Sequence, residues 1–278
     1  MKAVSQLLWS DYIVSGWSFF FRWPVANAGV FRSVGVFLGP LLQMLVFLLF
    51  SMPLFFLLPA GIQHWAVMSG WLGLSMMTGF FHEDGLADTA DSLGVSKFNS
   101  GDSLERIQST FKDPRLGTFG VSALVLFWLF RYGSVDHGRL MIGGAAIACL
   151  FSRAISLGLG LYFFPRLKSA STARSSHVMQ AVSLRHASFC LGLAVFLGTL
   201  LLSAAFVWNS SAFFVGLSDR DRGECVLKLL VGILFSALAS AFVLKKLICR
   251  TEALNGDLLG ATVCFSEILI TTCYLIIF

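Results

Sequence analysis

The chain has 278 residues, of which 56% are hydrophobic and only 13% charged, with 28 Phe and a net charge of +5. A water-soluble domain of that length has no interior large enough for so much apolar surface, and the mean hydropathy of +0.80 belongs to a chain dissolved in a bilayer. The six cysteines (Cys149, Cys190, Cys225, Cys249, Cys264, Cys273) never form a close C-x-x-C pair and mostly sit in apolar runs; this argues against a disulfide framework and a zinc site.

In chain order, residues 1–33 are expected to lie in the membrane interface. Leu7, Leu8, Trp9, Tyr12, Trp17 and Phe19 to Phe21 mix there with Asp11, Arg22 and Arg32, and the charges rule out a signal peptide. Apolar stretches of about 20 residues, enough to cross a bilayer, follow at 34–60, 64–81, 117–133, 138–162, 186–216, 226–248 and 258–278. Pro40 and Pro53 are expected to kink or break the first, and the fifth is long enough to tilt or to end in an interfacial piece near Trp208. The expectation is an all-α, polytopic bundle of six to seven transmembrane helices, one integral membrane domain over 1–278, with membrane lipid and no nucleic acid as partner.

Positive charge orients this bundle. With the N-terminus in the cytoplasm, segments 1–33, 82–116, 163–185 and 245–257 share that side and hold 14 of the 20 Lys and Arg residues. Arg131, Arg139, Arg220, Arg222 and Lys228 fall on the other side, and Arg153 within a span. A charge inside a span needs a cavity or a partner. The basic loop 163–185, with His177, reads chiefly as a topogenic loop that could also attract an anionic substrate.

Segment 82–116 carries the chemistry. Directly after an apolar stretch comes His82-Glu83-Asp84-Gly85-Leu86-Ala87-Asp88-Thr89-Ala90-Asp91. If the preceding helix continues, Asp84, Asp88 and Asp91 stack on one face at i, i+4 and i+7. Three carboxylates so placed repel one another at the edge of a low-dielectric region, and the nearest following cation is Lys97. A hard divalent ion relieves that repulsion, and Mg²⁺ prefers carboxylate oxygens shared with substrate phosphates. Gly85 leaves room for a close approach to the backbone. His82, two residues before Asp84, could serve phosphate binding or proton transfer, or act only as a hydrogen-bonded spacer.

The run His82 to Asp91 resembles the H-x-D-G-L-A-D-T-x-D signature of the cobalamin synthases, the adenosylcobinamide-GDP ribazoletransferase family. Asp113-Pro114-Arg115-Leu116-Gly117-Thr118-Phe119-Gly120 is similar to the family's D-x-R-x-G-T-x-G segment, and Ser152-Arg153 to its S-R pair. Asn255-Gly256-Asp257-Leu258-Leu259-Gly260-Ala261, followed by Glu267, resembles its G-D-x-L-G-A…E segment, and Phe21-Arg22-Trp23-Pro24 its N-terminal turn. The matches occur in order along nearly the whole chain. Three positions depart from the pattern: Glu83 replaces an apolar residue, Asn255 a Thr, and Cys264 a residue that is often acidic.

The resemblance implies that alpha-ribazole or its 5′-phosphate attacks adenosylcobinamide-GDP in the last steps of vitamin B12 assembly, releasing GMP. It implies Mg²⁺ as cofactor, held by Asp84, Asp88 and Asp91, with His82, Asp84 and Asp88 catalytic. Asp113, Arg115, Arg153, Asn255 and Asp257 would bind substrate or phosphate, and guanidinium groups suit phosphate oxygens. Asp113 could equally cap a turn, and Asp257 simply start the last helix. The bacterial cytoplasmic (inner) membrane, with the site facing the cytoplasm, is the expected location. The resemblance leaves room for a homo-oligomer or for association with other corrinoid enzymes.

Three rivals fit less well. A CDP-alcohol phosphotransferase expects an Arg where Thr89 stands, and a membrane prenyltransferase expects a second Asp-rich motif where only Asp257 is found. An ion-coupled transporter expects carboxylates near the midplane of matched halves.

Overall fold

The structure is a computed structural model and describes residues 9–22, 33–96, 103–111, 113, 115–136, 142–163, 184–208, 219–252 and 254–277. Its described residues form ten α-helices and no strand: α1 Trp9–Phe20, α2 Gly39–Leu57, α3 His64–Thr78, α4 Phe81–Ser96, α5 Ser103–Thr110, α6 Thr118–Asp136, α7 Ile142–Phe163, α8 Leu184–Trp208, α9 Asp219–Thr251 and α10 Gly256–Ile277. Single 3-10 turns, Ser33–Leu38 and Ala60–Ile62, flank α2.

Among the described residues five segments are long and apolar enough to cross a membrane: Gly35–Leu57, Thr118–Val135, Ile142–Phe163, Glu224–Thr251 and Gly256–Ile277. They fall on five of the seven expected spans. The other two correspond to shorter apolar helices, the 15-residue α3 and the stretch Arg185–Leu200 of α8. The faces turned outward are apolar: Phe56 on α2, Leu126 on α6, and Leu230, Leu234 and Leu238 on α9 are all exposed. Such surface is stable only in a hydrocarbon solvent.

Pro40 enters the first turn of α2, where its missing N–H belongs to an unpaired set anyway, and Pro53 lies within the helix, which runs on to Leu57. The N-terminal segment does more than lie on a surface. Gly16 and Gly35 bring α1 against the 3-10 turn before α2 so tightly that a Cβ on Gly16 would sit 2.6 Å from the Gly35 oxygen. Phe20 and Phe21 are thereby buried in the main core with Phe37, Phe47 and Trp71. Trp23 and Pro24, and the loop 164–183, lie outside the described residues.

Two features position the site. The helix entering the Asp-rich segment does not continue, as the sequence reading allowed, but breaks. Gly79 takes a left-handed conformation (φ 67°), Phe80 follows it (φ 58°), and their N–H groups donate to Met76 and Ser75 oxygens, closing a Schellman cap. α4 then starts afresh at Phe81 in a new direction, so its polar residues are not bound to the line of α3. Second, α4 lies along α10, and Ser156 Oγ on α7 donates to the Leu259 oxygen of α10 at 2.7 Å. A hydroxyl pair, Ser240 and Ser266, joins α9 to α10 at 2.7 Å. Small and hydroxylated residues at such crossings let helices approach closely where no hydrophobic effect holds them together.

Candidate functional site

α4 presents its carboxylates as a gradient: Asp84 is exposed, Asp88 half-buried and Asp91 buried. Gly85 makes the crossing with α10 intimate, because a Cβ there would stand 2.6 Å from the Asp257 oxygen and 2.9 Å from its Cα. Asp257 thus joins the electrostatic neighbourhood of Asp84 and Asp88. Asn255 builds the start of α10. Its Oδ1 accepts from Leu258 N at 2.9 Å, an N-cap, while its Nδ2 donates to Asp257 Oδ2 at 3.0 Å. Burial, and then the nearby charges of Asp84, Asp257 and Asp91, push the Asp88 carboxyl up to about 6. Among the described residues no three carboxylate, imidazole or thiol groups already converge on one point. The Asp cluster is a region of crowded negative charge, not a formed coordination shell.

Asp91 has a further job. Its two oxygens accept from Gly117 N and Gly120 N, each at 2.8 Å, fastening α4 to the start of α6. A Cβ on either glycine would strike that carboxylate. Each oxygen keeps one more lone pair. Nearby, Asp113 and Arg115 pair with one another in the open: Arg115 Nε and Nη2 donate to the two Asp113 oxygens at 3.0 and 2.8 Å. These bonds hold the Asp113 carboxyl below its usual range. Arg115 remains exposed, where it can exchange partners.

Beneath the Asp cluster lies a buried ionic network. Arg131 on α6 donates from Nε to Glu267 at 2.8 Å and from Nη1 to Glu83 at 3.0 Å. Arg153 on α7 donates from Nη1 to Glu267 at 3.2 Å, to Ser152 Oγ and to the Cys149 oxygen. Ser75 on α3 donates to Glu83 at 2.5 Å, and the Arg131 guanidinium also lies over the rings of Phe127 and Trp128. Two guanidinium groups and two carboxylates balance, as burial demands.

The network ends at His82. Gln43 Oε1 on α2 lies 2.8 Å from Arg153 Nε and 2.8 Å from His82 Nε2. Cys264 Sγ donates to the His82 carbonyl at 3.5 Å. Burial, then the Arg153 charge, hold the His82 imidazole well below its usual range. His82, Gln43 and Arg153 also border a small recess of about 30 Å³, whose surface is almost wholly apolar and whose walls include Phe19, Phe20, Phe81 and Leu259. The recess reaches Gly256, the residue before Asp257 in the chain.

The residues singled out in the sequence therefore fall into three places. Asp84, Asp88, Asp91, Asn255 and Asp257 come together. His82 and Arg153 meet through Gln43, one layer deeper. Asp113 and Arg115 pair with each other at the exposed approach to α6. Gln43 and the partnership of Glu83 with Arg131 were not anticipated. Arg131, assigned by charge counting to the far side of the membrane, is instead 2% exposed inside a spanning helix. The available signal was the one applied to Arg153: a strongly polar side chain within an apolar stretch needs a partner.

Comparison with known proteins agrees with this geometry. A family model described as cobalamin-5-phosphate synthase matches residues 13–275. The adenosylcobinamide-GDP ribazoletransferase of Polaromonas sp. (strain JS666 / ATCC BAA-500) is 30% identical over 258 residues, 85% of this chain and 80% of that protein. Those of Albidiferax ferrireducens and Leptothrix cholodnii are also 30% identical, over 256 and 254 residues, covering 85% and 86% of this chain and 81% of each relative. No solved structure matches it significantly. The match runs from α1 to the last turns of α10, through every element that contributes to the Asp cluster and the network beneath it, and the chain belongs to the cobalamin-5-phosphate synthase family.

Proposed function

We propose that this protein is an integral membrane adenosylcobinamide-GDP ribazoletransferase of bacterial type. The observation that carries the reading is the meeting of α4 and α10, which sets Asp84 and Asp88 of the His82–Asp91 signature beside Asp257. In this reaction a sugar hydroxyl of alpha-ribazole, or of its 5′-phosphate, forms a bond to the phosphorus that carries the cobinamide. The anhydride bond to the second phosphorus breaks, GMP leaves, and the hydroxyl proton passes to a base on the protein.

Such transfer needs positioning and neutralisation of charge more than covalent help. The donor set fits a hard divalent cation: it is all carboxylate, and the neighbouring charges that add to burial in lifting Asp88 to about 6 are what a cation offsets. Asp84 and Asp88, with the spare lone pairs of Asp91, would hold Mg²⁺, which would supply charge neutralisation at the pyrophosphate. Asp257, steadied by Asn255, closes the cluster from α10. Arg115 can leave its exposed pairing with Asp113 to meet phosphate oxygens, since an open ion pair is worth little. Arg153 contributes its positive charge from the border of the recess. We place the protein in the bacterial inner membrane with this face toward the cytoplasm, a reading supported by the excess of Lys and Arg in the expected cytoplasmic segments.

The test is GMP release by the detergent-solubilised protein given adenosylcobinamide-GDP, alpha-ribazole and Mg²⁺. Turnover is expected, lost on chelation and lowered about 10²-fold or more in Asp84→Asn. A folded wild type that releases no GMP in a corrinoid-dependent way would overturn the reading.

A further inference from the structure

α9 turns much of its surface outward, and its two ends carry charge differently. Leu227, Val231, Leu234, Phe235, Leu238 and Phe242 recur along it at helical spacing and are all exposed, an apolar stripe that faces lipid. Lys228 and Lys245 bracket the stripe. The helix rises about 26 Å between them, close to the roughly 30 Å of a bilayer's hydrocarbon core. Each end therefore sits at headgroup depth.

At the first end, Lys228 Nζ donates to Glu224 at 2.8 Å, so the protein itself meets that charge. At the other end, Lys245, Lys246 and Arg250 are all exposed, and none has a carboxylate partner among the described residues. Glu252, just past the helix, is exposed as well and offsets at most one of the three. The outward direction of the cations is fixed by what faces inward. Leu244, Leu247 and Ile248, interleaved with them, are buried with Leu254 and Leu258. Lys246 follows Phe242 by one turn, and its Nζ lies 4.6 Å above the centre of that ring, which keeps the ammonium at the edge of the stripe. The negative end of the helix dipole accounts for a cation in the last turn, where only Arg250 stands. Lys245 and Lys246 need another anion.

We infer that Lys245, Lys246 and Arg250 form a binding site for an anionic phospholipid, whose headgroup they hold while an acyl chain lies along Leu238 and Phe242. A zwitterionic lipid carries its own cation to such a site and gains little there. A lipid with net negative charge gains roughly fivefold in affinity from each cation near the surface. The site goes beyond the reaction proposed above and does not depend on it.

The test is native mass spectrometry of the full chain in detergent, titrated with phosphatidylglycerol or with phosphatidylcholine of the same acyl chains. The wild type should bind phosphatidylglycerol about tenfold or more tightly. Lys245→Gln, Lys246→Gln and Arg250→Gln should each weaken that binding roughly fivefold, and the triple variant should lose the preference. Lys228→Gln, at the paired end, should keep it. Exchanging the cations in kind (Lys245→Arg, Lys246→Arg, Arg250→Lys) should keep it too, because charge and not shape is recognised. The three positions are exposed, so folding should survive the changes; if the triple variant aggregates, the single variants decide. Equal binding of the two lipids by the wild type would overturn the inference, as would cation-free variants that bind phosphatidylglycerol like the wild type. A dimer in the same spectra, abolished by these substitutions, would assign the face to a second copy of the chain and would overturn it as well.

Discussion

Asp88 stands among Asp84, Asp91 and Asp257, and burial, together with their combined field, pushes its carboxyl up to about 6. Because the charged form is disfavoured in the fold, the contribution of Asp88 to the stability of the metal-free protein is fully present below its unfolded value near about 4. It is lost as the pH rises through about 6. Cation binding runs the other way, since the ion takes the charged carboxylate. The Mg²⁺ concentration for half-maximal turnover should therefore rise as the pH falls below 6, by up to about tenfold per pH unit. Asp88→Asn should flatten that dependence. A requirement for Mg²⁺ that does not change between about pH 7 and about pH 5 would count against the cluster as the cation site. The spacing of these residues was legible because it obeys the helical period. The anchoring of Asp91 was not, since Gly117 and Gly120 lie 26 and 29 positions away and only the tertiary fold brings them back.

At the scale of elements, the site depends on how closely α4 and α10 approach. The limits of α10 follow from the sequence, whereas α4 reads there only as a possible continuation of the helix before it, and the break at Gly79 and Phe80 is hidden by unbroken apolar composition across it. Where the two helices meet, Gly260 of α10 lies close against the backbone of Phe81 and His82, and the tightest approach is at the missing side chain of Gly85. A methyl group there would lie 2.6 Å from the Asp257 oxygen, so Gly85→Ala must part the helices and move Asp257 away from Asp84 and Asp88. Turnover should fall about tenfold or more, because small displacements of aligned groups are costly. Gly192→Ala in the interior of α8 is the matched control. Nothing lies within 4 Å of a Cβ there, so the change should leave turnover intact and add roughly 0.5–1 kcal/mol through reduced freedom of the unfolded chain. Equal turnover by the two variants would show that the close crossing does not matter to the reaction.

For the molecule as a whole, the network of Glu83, Arg131, Glu267 and Arg153 is the internal tie between α4, α6, α7 and α10. Its bonded partners are separated by up to 136 positions, and no local pattern reveals such pairing. The outer surface is apolar and solvated by lipid, so hydrophobic burial between helices contributes less than it does in water, and specific polar contacts gain in importance. Charge balance then predicts an unusual mutational pattern. Glu83→Leu leaves two buried cations against one anion, and Arg131→Met leaves two anions against one cation. Either alone should destabilise by about 3–5 kcal/mol, the usual cost of an uncompensated buried charge. The double variant keeps only Arg153 with Glu267, again neutral, and should be more stable than either single variant. Unfolding from detergent is commonly irreversible, so half-lives at a fixed temperature are the proper measure. If the two substitutions simply add, each residue acts by its shape alone. If the double variant outlasts both singles, the four charges form one electrostatic unit, which Glu83 completes at a position where the rest of the signature favours an apolar side chain.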